Sequence, residues 1–138
     1  LFRSHVLQVT DKITSGPPHF VEIGHTQPSR LDVEQVKKIK NLAIRAVHAI
    51  GIDNGPAHVE IILTEEGPKM VELGARMGGD CITTHLVPLS TGIDMVRSTI
   101  EIACGEKTNI NPIFSKGSAI RYFKSSNGII TNISGGTG

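Results

Sequence analysis

The run Ala57-His58-Val59-Glu60-Ile61-Ile62-Leu63-Thr64-Glu65-Glu66-Gly67-Pro68-Lys69-Met70-Val71-Glu72-Leu73-Gly74-Ala75-Arg76 decides how this chain is read. Residues 57–64 and 69–75 alternate in the two-residue rhythm of β-strands. Between them, Glu65-Glu66-Gly67 suits a three-residue hairpin loop whose glycine takes the left-handed conformation. That loop predicts Thr64 opposite Pro68, Ile62 opposite Met70, and Glu60 opposite Glu72. Val59, Ile61, Leu63, Val71, Leu73 and Ala75 occupy the other face and are the expected core side.

Directly opposed residues on one face bring their Cβ atoms to roughly 4.5–5.5 Å, and like charges at that separation destabilise the pair. The two carboxylates can share a proton, or share a divalent cation such as Mg²⁺, which favours hard oxygen ligands and is completed by substrate phosphates. Lysine or arginine neighbours on a solvated face are the third solution. Arg76 lies four residues beyond Glu72 on the same face, and its planar fork suits phosphate oxygens. Ile62 and Met70 offer an apolar shelf beside the charges. His58 shares the carboxylate face and can hydrogen-bond a ligand or a glutamate. Beyond Arg76, Met77-Gly78-Gly79-Asp80 leads into a helix: the glycines let the backbone approach a ligand, and the helix start favours an anion. Asp80 is expected to cap that helix.

Outward from this hairpin, residues 4–10 suit a strand, followed by a long irregular segment broken at Gly16-Pro17-Pro18 and Gln27-Pro28-Ser29. From Asp32 the apolar residues Val33, Val36, Ile39, Ala43, Val47 and Ile50 recur at helical spacing. Asp32 serves as cap and Gly51 ends the run. Two further helices are predicted near 81–90 and 92–104, with Pro88 kinking the first, Thr91 and Asp94 forming a capping box, and Gly105 as terminator. Strands at 118–124 and 129–133 flank Asn127-Gly128 as a hairpin.

The totals exclude several classes. A length of 138 residues, 38% hydrophobic, supports one domain or one lobe of a larger one. With 14 basic and 13 acidic residues and only five aromatics, nothing predicts a nucleic-acid surface. Cys81 and Cys104 are too few for a disulfide scaffold or a zinc knuckle and are read as reduced cytoplasmic thiols. No run approaches the ~18 apolar residues that cross a membrane, and no signal peptide is apparent. The first residues, Leu1-Phe2, and the final Gly135-Gly136-Thr137-Gly138 look cut.

Asn54-Gly55-Pro56-Ala57-His58-Val59-Glu60, the run from Val71 to Asp80 and Thr91-Gly92-Ile93-Asp94 together resemble the C-terminal half of an ATP-grasp domain. Similar segments occur in biotin carboxylases, carbamoyl phosphate synthetases and L-amino-acid ligases. The resemblance implies an α+β fold in which an antiparallel sheet packs with helices. It makes residues 1–110 part of the grasp subdomain and 111–138 the start of a truncated β-rich extension. It also implies that Glu60 and Glu72 bind Mg²⁺ (or Mn²⁺) on ATP and that Arg76 stabilises the transferred phosphoryl group. Ile62 would line the nucleotide pocket and the Gly78-Gly79 backbone would hold the acid. Gly74 departs from many members, which place an asparagine ligand there.

Gly78-Gly79-Asp80 and Ala119-Ile120-Arg121-Tyr122-Phe123…Gly128 favour the L-amino-acid-ligase branch. The glutamine and glutamate expected after the arginine of a biotin carboxylase are absent. Phe20-Val21-Glu22-Ile23-Gly24-His25 resembles that branch too, whose Glu-x-x-His pair contacts the substrate amino group, here Glu22 and His25. The implied partners are a small carboxylate, an amine and the N-terminal half of the same enzyme, with a homodimer compatible. The lysines that clamp ATP belong to that other half, so the segment alone is expected to be nearly silent.

Overall fold

The computed structural model describes residues 4–123 and 127–135. It is an α+β arrangement of two antiparallel sheets and three α-helices. Strands β1 (Asp11–Thr14), β2 (Glu22–Gln27) and β5 (Ser118–Arg121) form one sheet in the order β1-β2-β5, and β3 (His58–Thr64) pairs with β4 (Gly67–Gly74) in the other. Helix α1 (Val33–Ala49) packs against β4. A π-turn segment, Ile82–Leu86, runs into α2 (Val87–Thr91) and touches β2, β5 and α3 (Met95–Ala103).

Helix α1 forms where its apolar spacing predicts. Asp32 accepts a hydrogen bond from the Gln35 amide at 2.8 Å, satisfying one of the free N–H groups of the first turn. Gly51, at φ 76°, follows the helix end. The buried centre of the helix is Ala43 with Ala46, whereas Val33, first in the predicted stripe, is 81% exposed. Small residues there let the helix lie close to β4.

Five local expectations are corrected. Residues 4–10 form no strand; their side chains instead bond to α2 and β2, where Gln8 donates to Ser90 Oγ at 3.1 Å and Gln27 donates to Thr10 Oγ1 at 2.7 Å. The supposedly irregular stretch after them instead carries β1 and β2. Asp94 alone caps α3, accepting from the Arg97 amide at 2.9 Å, while the Thr91 hydroxyl donates back to the Val87 carbonyl. Pro88 does not kink a long helix. It sits in the first turn of α2, where a missing N–H costs little, and the chain before it closes a wide turn through the Leu86 amide to Cys81 carbonyl bond.

The Asn127-Gly128 hairpin is the fifth. Among the described residues 129–133 carry no strand, and β5 pairs with β2 instead. Residues 124–126, which the predicted strand and turn would include, lie outside the described residues. Partner choice here is non-local: Gly24 opposes Arg121, and a Cβ at Gly24 would stand 2.5 Å from the Ile120 carbonyl oxygen. Only glycine admits so close an approach.

Candidate active site

The β3–β4 hairpin sets Glu60 opposite Glu72, as read from the sequence, but by a different route. The loop has two residues, with Thr64 opposite Gly67, so each following pair is displaced by one. A bulge between Glu60 and Ile61 then leaves Val71 over and restores the alignment. Two consequences follow. Ile62 faces Lys69 rather than Met70, so the expected apolar shelf is not a cross-strand pair. Val71, the surplus residue, is 63% exposed rather than part of the core face.

Repulsion between the two carboxylates is relieved by separate cations. Lys12 on β1 places Nζ 3.0 Å from Glu60 Oε2, and His58 Nε2 lies 3.6 Å from Glu60 Oε1. Arg76 Nη2 lies 3.5 Å from Glu72 Oε1, and Nη1 donates to the Met77 carbonyl at 3.1 Å. A Cβ at Gly74 would stand 3.1 Å from Arg76 Cγ, a tight contact that a shift of the half-exposed Arg76 side chain by a few tenths of an ångström would relieve. Lys12 also reaches Glu22 Oε1 at 2.6 Å. Its burial lowers the ammonium pKa, but hydrogen bonds to Glu22 and Glu60 and their negative charge prevail and hold it above the ordinary value.

Strand β2 carries Glu22 and His25 to the same place. His25 is 1% exposed, yet neither ring nitrogen has a hydrogen-bond partner. Nε2 points between Glu22 Oε2 at 3.5 Å and Asp80 Oδ2 at 3.6 Å, too far or too poorly aligned for either to satisfy it. Tyr122 stands edge-on to the His25 ring, with centroids 6.2 Å apart, and its hydroxyl reaches the Asp80 carbonyl at 3.4 Å. Burial first, and then the negative charge of Asp80, raises the Tyr122 phenol above its usual pKa. Asp80 is not a helix cap: it has φ 51°, Cys81 follows at φ 59°, and the π-turn has no side-chain cap.

Gly78 and Gly79 differ. A Cβ at Gly78 would meet His58 Nδ1 at 2.9 Å, so this glycine makes room for the histidine, while Gly79 has open space around it. The Gly78 carbonyl accepts from Thr83 Oγ1 at 2.8 Å, pinning the turn. Lys12, Glu22, His25, His58, Glu60, Arg76, Gly79, Asp80 and Ile82 enclose a cavity of about 110 Å³. Ile62, 56% exposed, lies outside that lining. A shallower hollow of about 340 Å³ at Thr26–Arg30 and Gly117–Ala119 holds one charged residue, Arg30, and no paired acid and base.

Sequence reasoning brought out Glu60, Glu72, Arg76, Glu22, His25 and His58, and missed Lys12. No local pattern marks Lys12; only the pairing of β1 with β2, with Lys12 opposite His25, carries it into the site.

The sequence matches the ATP-grasp domain family over residues 3–84, more than half of the chain. This chain belongs to the ATP-grasp family. It is 32% identical over 105 residues to an uncharacterized protein of Sinorhizobium fredii, covering 76% of the chain and 22% of that protein. Human carnosine synthase 1 is 31% identical over 97 residues, covering 70% of the chain and 12% of the synthase. Alanine–anticapsin ligase of Bacillus subtilis is 31% identical over 86 residues, 62% of the chain and 18% of the ligase. The solved L-amino acid ligase of Bacillus licheniformis superposes with a TM-score of 0.68 at 31% identity, covering 82% of this ATP-grasp chain and 27% of the ligase. Phosphoribosylglycinamide synthetase from Anaerococcus prevotii shares the fold, with a TM-score of 0.75 at 22% identity, over 88% of this chain and 32% of its own. The chain thus spans 12 to 22% of the length of these curated relatives.

Proposed function

We propose that the intact protein is an ATP-dependent carboxylate–amine ligase and that this ATP-grasp segment supplies the metal, phosphoryl and amine contacts. The observation that carries the reading is Glu60 opposite Glu72 across one hairpin, with the Arg76 guanidinium on Glu72. Two carboxylates on one face form a donor set suited to Mg²⁺ or Mn²⁺. An ionised carboxylate has about four lone-pair sites, so Lys12 at Glu60 Oε2 leaves capacity for a metal ion. The bound ion would shield phosphate charge and orient the γ-phosphate.

In this mechanism the acid substrate's carboxylate attacks the γ-phosphate of ATP, giving an acyl phosphate and ADP. The amine gives up its ammonium proton to solvent and attacks the acyl carbon; the C–O bond to phosphate breaks, inorganic phosphate leaves, and the new amide nitrogen sheds its second proton. Glu60 and Glu72 hold the metal, and Arg76 neutralises charge that develops on the transferred group. The Gly78-Gly79 backbone holds the acid, Gly79 lining the cavity, and Ile62 would line the nucleotide pocket. Glu22, His25 and Asp80 receive the amine: the two unsatisfied nitrogens of a buried histidine leave an acceptor free for a donor that the ligand brings. His58 orients Glu60.

The lysines that clamp ATP, and hence turnover, belong to the rest of the protein, which we place in the cytoplasm. Residues 111–138 begin a β-rich extension whose first strand docks on β2. In the intact protein Glu72→Ala is expected to lower turnover by several orders of magnitude with little change in melting temperature. Near-normal activity would overturn the assignment. A non-catalytic module is the second reading, favoured by Lys12 and Arg76 already neutralising both glutamates. It requires that neutral variants at 60 and 72 keep full function.

A further inference from the structure

Lys12 is the group in the cavity that no sequence motif marks, and it touches both halves of the chemistry. Its Nζ lies 2.6 Å from Glu22 Oε1 and 3.0 Å from Glu60 Oε2, while Glu22 Oε2 faces His25 and Glu60 Oε1 faces His58. One ammonium therefore joins the carboxylate that faces the amine cage to a carboxylate of the opposed pair. These residues come from β1, β2 and β3, in two separate sheets, so no backbone ladder holds the two acids in register.

We propose that Lys12 is a positioning residue that acts as the resident cation at Glu60 and opposes, by its charge rather than by filling the lone pairs, a divalent ion held there. This rests on the ligase reading and adds to it a coupling between its two sites. A divalent ion at Glu60 opposes the lysine charge a few ångströms away, and the ammonium moves onto Glu22. Glu22 is then more fully neutralised and holds a cationic amine less tightly. Metal at one end and ammonium at the other weaken each other through Lys12, and the effect is reciprocal.

The test uses the intact protein with Lys12→Met and Lys12→Arg. Mn²⁺ binding is followed by electron paramagnetic resonance in the presence of a non-hydrolysable ATP analogue, with and without saturating amine substrate. Removing a single charge in close contact is expected to tighten Mn²⁺ binding about tenfold in Lys12→Met, one pKa unit's worth of interaction. The amine should no longer alter Mn²⁺ affinity in that variant. Lys12→Arg keeps the charge and should behave as the unaltered protein. Equal Mn²⁺ affinity in Lys12→Met and the unaltered protein, or the same change in both variants, would overturn the inference. Glu72→Ala separates the two claims: if it abolishes Mn²⁺ binding while Lys12→Met leaves it untouched, only the coupling falls. If Glu72→Ala leaves both Mn²⁺ binding and turnover intact, the ligase reading falls with it.

Discussion

His25 carries the clearest energetic imbalance among the described residues. A buried imidazole with two unpartnered nitrogens costs roughly 1–3 kcal/mol relative to a satisfied one. Such a cost is tolerable where a ligand later supplies the missing partner, as at sites where function and stability oppose each other. His25→Leu, close in volume and without polar atoms, is therefore expected to leave stability unchanged or raise it by about 1 kcal/mol. The same change should cost the intact protein about tenfold or more in kcat/KM for the amine, the size of one lost hydrogen bond to a charged group. Chemical denaturation and steady-state kinetics check the two halves. A large loss of stability would make His25 a structural residue instead.

Strand pairing decides where these side chains stand. On β2, Gly24 sits between Glu22 and His25 and lets β5 approach; β5 leads directly to Tyr122, beside the His25 ring. Gly24→Ala would force its methyl group against the Ile120 carbonyl, a main-chain atom that cannot move aside as a side chain can. The expected cost is about 1–3 kcal/mol, the usual range for overpacking. Amide exchange should show it as selective loss of protection in β2 and β5, with the β3–β4 hairpin unaffected. Uniform loss across both sheets would mean that they unfold as one unit. The hairpin has its own device: the bulge that leaves Val71 over compensates for the short loop, and without it Glu60 would lose its alignment with Glu72.

Taken whole, the chain exposes 10125 Å². A compact protein of 14.8 kDa exposes roughly 7,000 Å². Among the described residues the buried apolar ones are Ala43, Ala46, Leu86, Val87 and Ile93, while Val33, Val71, Ile113 and Phe123 stand well exposed. The chain covers 12% of carnosine synthase 1 and 27% of the solved L-amino acid ligase, and under the proposed function the exposed apolar surface is where the rest of the protein would close. A non-hydrolysable ATP analogue with Mg²⁺ is accordingly expected to shift the melting temperature of residues 1–138 by less than about 2 °C at millimolar ligand. By linkage, stabilisation follows RT ln(1 + [L]/Kd) and is small when Kd is itself millimolar. A shift of 5 °C or more would mean that this segment holds the nucleotide unaided.

Periodicity and spacing along the chain were enough to specify α1, the β3–β4 hairpin and Arg76 four residues beyond Glu72. Each depends on residues near in sequence, where helical or two-residue repeats and turn chemistry operate directly. The Glu60–Glu72 opposition follows from a two-residue loop offset by a bulge that no local spacing marks. The resemblance of short motifs brought Glu22 and His25 to notice. What local signals could not supply was the pairing of β5 with β2, the turn of Asp80 toward His25, and Lys12 between two glutamates 10 and 48 residues away. Those arise from contacts between distant segments, whose energies depend on which backbones can approach and which charges end up desolvated together.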